Sequence, residues 1–167
     1  MSGPPAPSRG RAWLLAGAVA AVTILCDQIA KGAVRSSLEP GERIDLIFGF
    51  DLTRLTNSGI AFGLFEDGGA LVPIITGAAL AAVIVWFALA PSRSGLWLAV
   101  GLLTGGALGN LIDRLRDSAV TDFLDPPLWP AFNVADVAIT LGAVTLALVA
   151  LRVPADGEVA DERGSAP

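Results

Sequence analysis

Two aspartates, Asp122 and Asp136, stand in or beside the one polar connection between two long apolar segments of this chain. Gly109, Asn110, Asp113, Arg114 and Asn133 crowd the same join. The sequence has no histidine and one cysteine. Zinc clusters, Ser–His and Cys–His nucleophiles and an internal disulfide are therefore excluded. What remains is chemistry between carboxyl groups, in which one ionised carboxylate takes a proton from water and a protonated partner supplies one. Two carboxyls held close together do not both ionise easily, so such a pair shares a proton. No metal is expected, because an oxygen-only site for calcium or magnesium needs more convergent carboxylates than this connection offers. No cofactor is expected either.

Each candidate also has a plainer reading. Asp136 falls in the first turn of an expected helix, where the helix dipole favours a carboxylate. Asp122 reads as a solvated loop residue. Asn110, Arg114 and Asn133 weigh against that account, since one connection then holds more fixed polar groups than capping needs. Asp27 and Lys31 stand four apart at the outgoing end of an earlier apolar run. In the open such a pair is worth only about 0.2–0.5 kcal/mol, but inside an apolar run burial makes it more demanding. Asn57, in the turn Asn57–Ser58–Gly59, is also a residue that suits turn geometry on structural grounds alone. All of these residues fall on one face of the expected membrane bundle.

The elements that must position them are apolar helices. Four segments, Ala12–Ala30, Leu71–Ala90, Leu96–Ile112 and Val134–Leu151, are long enough or nearly so to cross a layer of ~30 Å at ~1.5 Å per helical residue. Pro73 is tolerated because it falls in the first turn of its helix. Trp13, Trp86, Trp97 and Trp129 lie at or near the segment ends, as an aromatic belt would place them. Only 16% of the residues are charged, well below the roughly 25% of a soluble domain, and the mean hydropathy is +0.65. A net charge of −5 without any basic run argues against nucleic acid as a partner. Carboxylates kept near lipid are costly, and that makes them functional candidates.

Between the first two spans lies a mixed segment, 32–70. Pro40–Gly41 is a turn signal. Ile44, Leu46, Phe48, Phe50 and Leu52 then alternate with Asp45, Ile47, Gly49, Asp51 and Thr53, which is strand periodicity. A second turn at Asn57–Gly59 precedes the apolar Ile60–Phe65. The segment predicts a small antiparallel sheet on the membrane surface, either an ordinary hairpin or a platform for an extended peptide. Gly101, Gly105 and Gly109 recur at four-residue spacing with Gly106 beside them, a face for close helix packing or for dimerisation. They form no phosphate loop, for the Lys–Ser/Thr ending is missing. Cys26 reads as a buried packing residue. Residues 1–10 and 154–167 are rich in Pro, Gly, Ala, Ser and charge and read as solvated tails around a membrane domain of residues 11–153. A cleaved signal at the N-terminus fits less well, because the apolar run continues too far and reaches Asp27 and Lys31.

Five motifs in order carry a resemblance. Asp27–Gln28–Ile29–Ala30–Lys31, Asn57–Ser58–Gly59–Ile60–Ala61–Phe62, Gly105 to Arg114, Val120–Thr121–Asp122–Phe123 and Phe132–Asn133–Val134–Ala135–Asp136 resemble those of lipoprotein signal peptidases. The match covers about residues 12–151. It implies a membrane bundle of four transmembrane helices with a small extracytoplasmic antiparallel sheet between the first and second. It further implies an aspartic endopeptidase whose catalytic pair is Asp122 and Asp136, with Asn57, Asn110, Arg114 and Asn133 lining the site and Asp27 and Lys31 supporting it. The implied substrate is a diacylglyceryl-prolipoprotein, cleaved just before the lipid-bearing cysteine by a protein acting as a monomer among membrane lipids.

Orientation is undecided by charge alone. Five basic residues fall on the side of the termini and six on the other, a split that settles nothing under the positive-inside rule. The resemblance implies cytoplasmic termini and an active site at the outer face of the bacterial plasma (inner) membrane. Two rivals come from other classes. A small transporter or proton-conducting protein would use Asp27 and Asp136 as carriers, but its site would lie near the midplane between internal repeats, and no repeat is visible. A scaffold of a membrane complex would use the Gly101/Gly105/Gly109 face as its contact.

Overall fold

The first helix, α1 (Arg9–Ser37), has 29 residues and so runs about 44 Å, well beyond the hydrocarbon layer. Its apolar run ends near Ala30, yet the helix continues through Lys31 and Arg35 because both side chains find carboxylate partners on a neighbouring helix. The structure, a computed structural model, describes residues 7–58, 71–91 and 93–151. Helix α1 already begins at Arg9, inside the stretch expected to be a solvated tail. The rest of both expected tails, apart from residues 7 and 8, lies outside the described residues, as does Ile60–Phe65.

Three further helices follow: α2 (Leu71–Leu89), α3 (Leu96–Asp117) and α4 (Val134–Leu151). Among the described residues α1, α3 and α4 are long and apolar enough to cross a membrane, and α2 contributes a shorter apolar stretch, Ile74–Leu89. Helix α3 lies between α1 and α4 and is met by α2 as well. Its glycines permit the approach: a Cβ at Gly105 would stand 2.8 Å from the Ala20 carbonyl oxygen of α1, and one at Gly106 2.5 Å from the Ala135 carbonyl oxygen of α4. Gly101 likewise meets Ala16 and Val19. The glycine face is thus filled within the chain, as the packing reading expected, and is not free for dimerisation. At one end of the bundle the Trp13 and Phe87 ring centres lie 4.5 Å apart with their planes tilted by 60°, and Trp86 and Trp97 pack against the cluster that includes Leu96 and Val100. Cys26 is exposed on α1, contrary to the buried position expected of it.

Three strands, β1 (Arg43–Asp45), β2 (Asp51–Asn57) and β3 (Val120–Asp125), form an antiparallel sheet in that order. Two expectations are corrected here. The alternating stretch 44–53 is two strands rather than one, because it turns at Leu46–Phe50, where Phe48 and Gly49 take positive φ of 59° and 79°. The sheet is also not built only between the first two helices, since β3 comes from the connection between α3 and α4. Leu52 pairs with Leu124 but Leu55 with Asp122, so β2 carries one extra residue across this interval. Side chains alternate along a strand, and that extra residue puts Asn57 on the same face as Asp122; regular pairing would have left them on opposite faces. The sheet is tied to α1 by Arg54, whose guanidinium donates to the Arg35 and Leu38 carbonyls at 3.1 and 3.0 Å.

Candidate functional site

Asp122 is a central residue of β3 and only 3% exposed, so the solvated-loop reading fails for it. Its two oxygens face two amides. Asn57 donates to Oδ2 at 2.9 Å and Asn133 donates to Oδ1 at 2.7 Å. Asn133 reaches it because Phe132 closes the intervening loop with backbone hydrogen bonds to Phe123 and Leu124 at 2.9–3.1 Å. Burial pushes the Asp122 carboxyl above its ordinary value, and the nearby charge of Asp136 adds to that. The Asn57 and Asn133 amides and the Lys31 charge pull it back without cancelling the rise.

Asp136 occupies the third position of α4, and the helix-start reading is right in its geometry. Asn133 caps the helix: its Oδ1 accepts the Asp136 backbone N–H at 3.0 Å, while Asp136 Oδ2 accepts the Asn133 backbone N–H at 3.2 Å. This reciprocal arrangement satisfies two of the free N–H groups at the helix start. It leaves Asp136 Oδ1 for the Asn110 amide of α3, which donates at 2.8 Å. Asp136 is half-buried, more open than Asp122. Capping and chemistry are therefore compatible at this residue, and Asn133 holds both aspartates at once.

Asp27 and Lys31 are completely buried and 2.8 Å apart. Asp27 Oδ1 accepts the Ala135 backbone N–H at 2.9 Å, and Lys31 Nζ donates to Asn110 Oδ1 at 2.8 Å. Asp27 is thus committed on both oxygens, which disfavours it as a mobile proton carrier. Three further participants were given no role from the sequence, although Asp113 was marked at the join and Gln28 lies in the first motif. Asp113 is fully buried and takes Lys31 at 3.1 Å, Gln28 at 3.1 Å and the Thr121 backbone N–H at 3.1 Å. Gln28 also donates to Asp27 and to the Gly109 carbonyl. Arg35 joins Asp113 to the Thr121 hydroxyl. The signal was present as Asp27, Lys31 and Arg35 at four-residue spacing on one helix and Asn110 and Asp113 on another, with charge inside apolar runs.

Arg114 stands apart from this network. It is half-buried one turn beyond Asn110 and lines a cavity of about 70 Å³ with Thr76, Leu80 and Leu111. Among the described residues it makes no hydrogen bond or ion pair with either aspartate. A larger apolar groove of about 600 Å³ runs between α2, α3 and α4, lined by Leu80, Val83, Leu103, Ala107, Ile139 and Leu146 among others.

Apolar helices long enough to span a bilayer, with a fully hydrogen-bonded cluster of carboxylates and amides gathered where helices meet a small sheet, define the class: a membrane-embedded enzyme. Comparisons agree. The signal peptidase (SPase) II family matches residues 19–152. A lipoprotein signal peptidase of Pelotomaculum thermopropionicum is 44% identical over 131 residues, covering 77% of this chain and 86% of that one. One of Moorella thermoacetica is 42% identical over 132 residues, covering 77% and 87%. A solved structure described as a bacterial membrane enzyme superposes with a TM-score of 0.76 at 27% identity, covering 90% of this chain and 99% of the other. The chain belongs to the signal peptidase II family, and it is a membrane peptidase.

Proposed function

We propose that this protein removes the signal peptide from diacylglyceryl-modified prolipoproteins, cleaving before the lipid-bearing cysteine with Asp122 and Asp136 as an aspartic dyad. The observation that carries the proposal is the double hold of Asn133 on the two aspartates, by its side chain on Asp122 and by its backbone N–H on Asp136. Both carboxylates sit in the stretch that the family match covers.

The half-buried Asp136 is the base that takes a proton from the attacking water. Asp122, whose burial favours the protonated form, supplies the proton to the leaving amine. As the tetrahedral intermediate forms, its oxygen gathers charge, and the site amides stabilise it. Water adds to the scissile carbonyl as Asp136 takes its proton, the C–N bond breaks as Asp122 protonates the leaving amine, and a proton passing from Asp136 to Asp122 resets the dyad.

The membrane setting follows from the same reading. Four spans, α2 among them, hold the signal helix and the acyl chains, and the apolar groove between α2, α3 and α4 offers a surface for them. The sheet lies on the outer surface of the plasma (inner) membrane, with the termini in the cytoplasm, and the enzyme works as a monomer. The helices and sheet between Arg9 and Leu151 form the peptidase domain. The reading is tested by adding the purified protein in detergent to a diacylated prolipoprotein. Release of the signal peptide before the modified cysteine is expected; no cleavage, or equal cleavage of the unmodified precursor, argues against it.

A further inference from the structure

We propose that Lys31 is the positioning residue of the site, acting on Asp136 through the amide of Asn110; the inference rests on the dyad reading above. Lys31 carries a buried side chain with no exposure, held between Asp27 at 2.8 Å and Asp113 at 3.1 Å. Its third contact is the Asn110 oxygen at 2.8 Å. An ammonium can only donate hydrogen bonds. It therefore fixes which end of the Asn110 amide faces it: the oxygen. The amide nitrogen must then point the other way, and there it donates to Asp136 Oδ1 at 2.8 Å. A flipped amide would set two donors against each other at Lys31 and two acceptors against each other at Asp136. The cation thereby keeps a donor on Asp136 without touching it.

The partners of Lys31 extend the same control to the backbone. Asp27 accepts the N–H of Ala135, the residue before Asp136. Asp113 accepts the N–H of Thr121, the residue before Asp122. One buried cluster thus holds the chain immediately ahead of each aspartate, on two elements that meet only through tertiary structure. Without the cation, Asp27 and Asp113 would be two buried carboxylates with weaker compensation, and both backbone anchors would loosen together. This hub sets the separation and hydrogen bonding of the dyad, and neither Lys31 nor Asp113 needs to meet the substrate.

The test is a double-mutant cycle on the full chain in detergent, with a diacylated prolipoprotein as substrate and thermal melting to monitor folding. Lys31→Met and Asn110→Leu should each lower kcat, by a factor on the order of 10², and leave KM within about twofold. The double variant should be no slower than the slower single one, because both changes remove the same donor. Losses that multiply, or a folded Lys31→Met with the kcat of the parent, overturn the proposal. Should Lys31→Met fail to fold, Asn110→Asp decides, since it keeps an acceptor for Lys31 and sets a carboxylate oxygen against Asp136 in place of the donor. A large fall in kcat at unchanged melting temperature supports the assignment, and parental kcat defeats it. Asp136→Asn is measured in parallel: full activity there defeats the dyad reading and this inference with it, whereas multiplied losses in the cycle defeat the role of Lys31 alone.

Discussion

Asn133 donates its side-chain amide to Asp122 at 2.7 Å and closes a reciprocal cap with Asp136, so one residue joins β3 to the first turn of α4. The two aspartates are held in one site because a helix start and a strand share this residue. Replacing Asn133 should accordingly disturb both carboxylates together. Asn133→Ala is expected to lose most cleavage activity and to destabilise the protein by about 0.5–2 kcal/mol through the lost cap, measured by turnover and by thermal unfolding in detergent.

Asp122→Asn and Asp136→Asn should each abolish cleavage while the protein still inserts and folds. Amide replacement keeps the shape but removes proton transfer, a role worth about 10²–10⁴ in rate. Turnover at matched expression is the measurement, and near-normal rates in either variant would sink the dyad.

The raised carboxyl of Asp122 has a consequence for stability against pH. Its folded value lies above the ordinary 3.8 because burial disfavours the charge. The folded protein then binds the proton more tightly than the unfolded chain, so this contribution is fully present at low pH and is lost as pH rises through the raised value. Asp122→Asn removes that dependence. Melting temperatures compared across the acid-to-neutral range should show the variant gaining on the parent as pH rises, and an opposite slope would contradict the burial argument.

Activity should survive exhaustive EDTA treatment. Both oxygens of Asp122 and both of Asp136 already face N–H donors at 2.7–3.2 Å, and a cation at those oxygens would meet the hydrogens of those donors. Loss on chelation with rescue by one divalent ion would turn the two aspartates into ligands instead.

Gly106→Ala should separate α3 from α4 at the point where Asp136 is held. The new Cβ would stand 2.5 Å from the Ala135 carbonyl oxygen, backbone that cannot turn aside. A loss of about 1–3 kcal/mol is expected from overpacking, with a fall in kcat beyond what stability explains. By contrast Asp51→Ala, which removes only a 3.4 Å pair with the exposed Arg43, should change turnover little, while Asn57→Ala should impair it strongly by taking a donor from Asp122. With Cys26 replaced, a cysteine at the exposed Asp45 should react with an impermeant reagent from outside the cell. Labelling only from the cytoplasmic side would overturn the proposed orientation.

The sequence alone marked the candidate groups and the apolar helices. With no histidine and a lone cysteine, carboxylates were the groups left, and α4 runs over the same residues, Val134–Leu151, that its apolar segment marks. Apolar length is a local property and can be read directly. The ends of α1 and α3 could not, because hydropathy stops at the first charges, whereas Lys31, Arg35 and Asp113 extend the helices by pairing with one another across the bundle. Only the tertiary structure decided that the connection after α3 supplies the third strand of the sheet, since strand pairing depends on a distant partner. A single extra residue between Leu52 and Leu55 sets which face of β2 carries Asn57, and no local pattern marks it. The hub at Lys31 was hidden for the same reason. A buried cation is stable only where several elements bring it acceptors, and that convergence exists only in the folded chain.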